Sequence, residues 1–135
     1  MIRRWNPETV AAPAGPYSHL AHVSADHDVV VLAGQVGTLP DGSLAGEDSL
    51  SQARAVFANI ERLLEAAGAG PEQLVRLFSM VSGTEHLPGF RTAMTETFAR
   101  WFPGGDYPPQ TLIVVAALAA PALTVEVEAL AAIPR

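Results

Sequence analysis

Two carboxylates stand two residues apart in the run Thr124-Val125-Glu126-Val127-Glu128-Ala129. Alternate residues of a strand share a face, so Thr124, Glu126, Glu128 and Leu130 point one way and Leu123, Val125, Val127 and Ala129 the other. A carboxylate on a mostly apolar face is a candidate for moving a proton or positioning a water. The plainer reading is a pair of edge-strand or rim charges in water, and for Glu128 the two readings weigh equally. His19, His22 and His27 carry less. In a strand His19 and His22 face opposite ways, which is poor geometry for a shared metal ion, and they read as scattered surface histidines. Ser18 beside His19 is a sequence neighbour pair, with no Gly-x-Ser-x-Gly turn to make a nucleophile of the hydroxyl.

The missing residue types exclude more chemistry than the present ones suggest. There is no cysteine, and all eight basic residues are arginines: Arg3, Arg4, Arg54, Arg62, Arg76, Arg91, Arg100 and Arg135. Thiolate nucleophiles, disulfides, Schiff-base lysines and P-loops are therefore excluded. A formal net charge of −6 with scattered arginines argues against a nucleic-acid partner. The longest uncharged apolar stretch, Leu112 to Val125, is broken by Pro121 and falls short of the ~20 residues of a membrane span. Met1 to Pro7 contains no apolar signal region. A single cytoplasmic domain over residues 1–135, with no membrane partner, is expected.

Regular elements must hold any site in place. Ala53, Val56, Phe57, Ile60, Leu63, Leu64 and Ala67 recur at helical spacing and predict a helix over Ser49 to Ala67, capped by Asp48 or Ser49 and ended by Gly68. Phe90, Ala93, Met94, Thr97, Phe98 and Trp101 predict a second helix over Pro88 to Trp101. Strands are predicted over Asp28–Gly34, Leu74–Ser82, Thr111–Ala117 and Leu123–Leu130. His19–Ser24 is expected to pair with Asp28–Gly34 through a turn at Ala25-Asp26, and Ile2–Trp5 to add an edge strand. The order β-β-β-α-β-α-β-β describes an α+β domain with crossover helices.

Two amphipathic helices cover only one face of such a sheet. Yet Val29-Val30-Val31-Leu32 and Leu112-Ile113-Val114-Val115 are apolar on both faces. Oligomerisation through the sheet is the economical way to bury the second face.

Taken in order along the chain, several segments resemble the RidA/YjgF family of reactive intermediate deaminases. They are Ala12-Pro13-Ala14-Gly15-Pro16-Tyr17-Ser18-His19, Leu32-Ala33-Gly34-Gln35, Gln52 with Asn59, Ala66-Ala67-Gly68 followed by Leu74-Val75, and Thr124 to Ala129. The resemblance implies a chorismate-mutase-like, YjgF-like domain: a mixed sheet with two helices on one face, assembled as a homotrimer with sites in clefts between subunits. It implies hydrolysis of imine or enamine intermediates to a 2-oxo acid and ammonia, with no metal and no organic cofactor. It places Tyr17 as a residue closing over the ligand, Gly34 at close backbone approach to it, and Glu126 as the carboxylate that positions or activates water.

The departures bear on substrate. The family's substrate-binding arginine lies in a Pro-Ala-Arg-Ser segment, which reads Pro108-Pro109-Gln110-Thr111 here. An arginine clamps a carboxylate through two parallel charge-assisted bonds, each contributing roughly 1.5–3 kcal/mol. Gln110 is planar and polar but neutral and shorter. Ala33 stands where serine is usual, and Thr95 where a helix asparagine is usual. The expected protein is thus a small-molecule enzyme acting on a C–N bond, with Glu126 and Tyr17 as catalytic residues and Gln110, Gly34 and Thr111 as substrate-binding ones. Its substrate either lacks a carboxylate or has it held by another group. The competing expectation is a trimer that binds or regulates without catalysis.

Overall fold

The computed structural model describes all of residues 1–135. The chain runs β1 (Ile2–Trp5), β2 (Leu20–Val23), β3 (His27–Val36), α1 (Ser49–Ala66), β4 (Leu74–Val81), α2 (Leu87–Trp101), β5 (Gln110–Val114) and β6 (Val125–Pro134). Helix α1 starts where Asp48 accepts a hydrogen bond from the Ser51 backbone N–H at 2.8 Å, and that bond holds the Asp48 carboxyl below its ordinary pKa. It ends at Gly68, whose φ of +73° lets Ala69 N–H turn back to the Leu64 carbonyl at 2.8 Å. Leu63, read as part of the apolar stripe, turns outward instead, while Ala53, Val56, Phe57, Ile60 and Leu64 are buried.

Strands β3, β6, β4 and β5 form one four-stranded sheet in that order. Only β4 and β5 are parallel, and α2 makes the crossover between them. Alternation along the strands divides the sheet into two faces. On one, Leu77, Val81, Val125, Val127, Ala129 and Ala131 are buried against the helices. Phe57 of α1 is the hub there, its ring centroid 5.9, 6.3 and 5.8 Å from those of Phe90, Phe98 and Trp101 of α2. The other face is uncovered: Val29 is 68% exposed and Val31 73%.

Three expectations about strands need correction. The segment at residues 20–23 does not pair with β3; it forms a separate two-stranded ribbon with β1, in the register Ile2 with Val23 and Trp5 with Leu20. Arg4 explains the displacement. Its buried guanidinium donates to the Glu72 carbonyl at 2.8 Å, to the Leu74 carbonyl and to Asp106 at 2.9 Å, which draws the ribbon over the start of β4. Secondly, β5 runs from Gln110 only to Val114 rather than to Ala117, and β6 starts at Val125 rather than Leu123 and continues past Leu130 to Pro134, between β3 and β4. Lastly, β6 is an interior strand, paired on both sides, so Glu126 and Glu128 are not edge charges.

Candidate functional site

A groove of about 870 Å³ lies along the free edge of β5. Its walls are the loop Ala14–His19, one face of α2, and Gln110 to Leu112 of β5. The loop is pinned to the segment leading into β5: the Ser18 hydroxyl donates to the Tyr107 carbonyl at 2.7 Å, and Ser18 N–H to the Pro108 carbonyl. Ser18 is thus a buried strut rather than a nucleophile. The Tyr17 hydroxyl accepts from the Ala14 N–H at 3.3 Å, leaving its own proton to donate into the groove. The Tyr17 ring meets the His19 ring edge to face, with centroids 5.7 Å apart, and His19 Nε2 donates to the Ala11 carbonyl at 2.7 Å. His19 is therefore a groove residue with a structural bond, not a stray surface histidine. No group of three or more His, Asp and Glu side chains converges anywhere in the chain.

Gln110 and Thr111 stand on opposite faces of β5, both lining the groove, because the groove wraps the strand edge. The Gln110 amide nitrogen donates to the Pro16 carbonyl at 3.3 Å and lies 3.3 Å from Met94 Sδ.

Gly34 and Glu126 form a second locus, outside that groove, on the open face of the sheet. The register of β3 on β6 shifts between Leu32 and Gln35, so that Ala33 and Gly34 together oppose Glu128. Val36 faces Glu126 directly, and the Glu126 side chain leans along the diagonal toward Gly34. A Cβ at position 34 would overlap the Glu126 carboxylate oxygen. Within the protomer, the close approach that Gly34 permits is thus to Glu126. Glu128 is half-exposed, with Arg76 at 3.9 Å.

Gln52 and Asn59 hold the frame around this locus. Buried Gln52 donates to the Gly46 carbonyl at 3.0 Å and the Ala122 carbonyl at 2.8 Å, and accepts from Thr124 N–H at 2.8 Å, just ahead of β6. Asn59 donates to the Thr38 carbonyl at 2.9 Å, just past β3.

The model of the family described as Endoribonuclease L-PSP matches residues 8–133. The chain belongs to the YjgF/RidA family. A protein of Yersinia pestis, YyfB, described as being of unknown function in the conserved Rid family, is 33% identical over 98% of both chains, with a TM-score of 0.84. RidA from an Antarctic Psychrobacter is 25% identical over 97% of this chain and 99% of its own, with a TM-score of 0.69. A Mycobacterium tuberculosis member of the YjgF/YER057c/UK114 family is 27% identical over 98% and 100%, with a TM-score of 0.62. No curated protein matches.

In this YjgF/RidA protomer the five residues singled out from the sequence fall into two groups. Tyr17, Gln110 and Thr111 share the groove; Gly34 and Glu126 share the open sheet face. Arg91, Met94 and Thr95 also line the groove from α2, and Arg76 from β4. Of these the sequence reading singled out only Thr95 as a site position. Met94 reads as core because it belongs to the apolar stripe, yet its sulfur reaches Gln110. The available signal for Arg91 was its spacing of four from Thr95, which puts both on one helix face.

Proposed function

We propose that this protein is a homotrimeric hydrolase or deaminase of an imine- or enamine-type C–N bond, acting at clefts between subunits. The observation that carries the reading is the separation just described. One protomer offers a ligand groove without a carboxylate, and an uncovered, largely apolar face bearing Glu126 and Glu128. Packing the open face of one copy against another would bury Val29 and Val31 and bring Glu126 of the neighbour to the groove. The family membership supports this arrangement.

The chemistry then needs no cofactor. Water adds to the imine carbon while Glu126 takes one of its protons. That proton passes to the imine nitrogen to give the carbinolamine. Glu126 then takes the carbinolamine hydroxyl proton and delivers it to the nitrogen as the C–N bond breaks, so the products are a carbonyl compound and ammonia. Tyr17 donates a hydrogen bond to the ligand, and Gln110 and Thr111 orient it. Gly34 keeps space for the Glu126 carboxylate. Gln110 cannot clamp a carboxylate as an arginine would, so the substrate either lacks that group or has it held elsewhere.

Two measurements test this. Ammonia release from an imine generated in situ, such as 2-iminopropionate, is expected to be abolished by Glu126→Ala and raised by Gln110→Arg. Glu126→Ala and Tyr17→Phe chains, each inactive, are then unfolded together and reassembled. With sites built across subunits, random mixing restores about a quarter of wild-type activity. No recovery in mixed trimers defeats the shared site. Binding without turnover of any imine identifies a ligand-binding trimer instead.

A further inference from the structure

The groove is where this acidic chain turns positive. Fourteen Asp and Glu face eight arginines in the sequence, yet the groove wall holds Arg76, Arg91 and His19 and no carboxylate. Seven of the arginines have partners within the protomer. Arg3 lies over the Trp5 ring. Arg4, Arg54, Arg100 and Arg135 pair with Asp106, Glu96, Glu61 and Asp28. Arg62 donates to Asn59, and Arg76 lies over Phe78 with Glu128 at 3.9 Å. Arg91 alone has no hydrogen bond, ion pair or ring partner, and it lines the groove one helical turn from Met94 and Thr95.

Gln110 completes the picture. Its amide nitrogen is committed to the Pro16 carbonyl and Met94. The reverse orientation would set two carbonyl oxygens against each other, so the amide is fixed. Its Oε1 has no partner in the protomer and remains an acceptor.

We infer that Arg91, seconded by Arg76, holds the carboxylate of a small ligand in this groove while Gln110 Oε1 accepts an N–H from the same molecule. The inference rests on the groove being the substrate site proposed above. It names the substrate class as a carboxylate-bearing one, with the cation supplied by α2 rather than by position 110. A guanidinium on a helix presents the same planar pair of donors to a carboxylate as one on a strand.

The test is a calorimetric titration of the assembled protein with pyruvate, the smallest 2-oxo acid, and with its methyl ester, which keeps the ketone and loses the charge. Wild type is expected to prefer pyruvate. Arg91→Gln should weaken pyruvate binding about ten- to a hundredfold and leave the ester within about twofold, because a charge-assisted bond is lost only for the anion. Arg91→Lys should restore part of the difference, Arg76→Gln should cost less, and Arg3→Gln, on the ribbon and outside the groove lining, should change nothing. Arg91 is exposed, so an unchanged melting temperature confirms that the variant folds. Pyruvate binding by Arg91→Gln equal to wild type, or a wild type indifferent to the ester, overturns the inference. The two readings fail separately. Imine turnover unaffected in Arg91→Gln keeps the hydrolase and removes the arginine. Arg91-dependent pyruvate binding in a protein that turns over no imine keeps the arginine and removes the hydrolase.

Discussion

The two faces of the four-stranded sheet share every strand but are finished differently. On the helix side, Val125, Val127 and Ala129 of β6 meet Phe57 and its aromatic neighbours, and the chain supplies its own cover. On the far side, Glu126 and Glu128 of the same strand stand among Val29, Val31 and Ile113, and the chain supplies none. The first face obeys one demand, to exclude water at high packing density. The second mixes apolar residues with carboxylates, a composition that serves neither a core nor a fully solvated surface. Stability is therefore expected to reside on one side of β6 and assembly and chemistry on the other.

Substitutions on either side of β6 can break or sharpen that division. The largest effect is expected from the closed face: Phe57→Ala removes the hub of the aromatic cluster and should lower unfolding free energy by about 3–5 kcal/mol, read from urea denaturation. On the open face, Val31→Asp should change protomer stability by no more than about 0.5 kcal/mol. It should nonetheless collapse the proposed trimer to single chains on size-exclusion chromatography with light scattering, and the proposed imine turnover with it. If Val31→Asp leaves the assembly intact, the open face is not the interface. Gly34→Ala tests the carboxylate locus. The added methyl meets the flexible end of Glu126 rather than backbone, so the fold should survive with a loss under about 1 kcal/mol. Imine turnover should fall at least about tenfold as Glu126 is displaced. The smallest effect lies at the turn before β3. Asp26 accepts from the Ser24 hydroxyl at 2.6 Å and from His27 at 2.9 Å, which lowers its pKa to about 2. The contribution of ionised Asp26 is present above the ordinary carboxyl pKa and disappears as pH falls through about 2. Ser24→Ala should move that titration upward, measured by NMR on the Asp26 carboxyl, without touching assembly.

Local patterns were legible where local physics decides. Helix α1 begins at Ser49 behind Asp48, as its cap and stripe predict, and α2 differs by one residue at its start. The closed face of β6 follows from strict alternation. What escaped depends on distant partners. The ribbon of β1 with β2 turns on Arg4 reaching carbonyls some 70 positions away. The extension of β6 to Pro134 lies in small residues, Ala131 and Ala132, which carry little strand preference yet are buried. The shift at Ala33-Gly34 is invisible until β6 lies beside it. For the candidate site, strand alternation singled out Glu126 and the resemblance pointed to Tyr17 and Gln110, whereas Arg91, which lines the same groove as Tyr17 and Gln110, lay on a helix read only for its apolar stripe.

Gln52 bears on how such a protein can change over evolutionary time. Its one amide ties Gly46, Ala122 and Thr124 together and so fixes where β6 begins. The strut touches neither Gln110 nor Arg91. Mutation can therefore rewrite ligand preference at the groove while inheritance of the strut keeps the carboxylate strand in register. A lineage built this way can exchange substrates without rebuilding its scaffold.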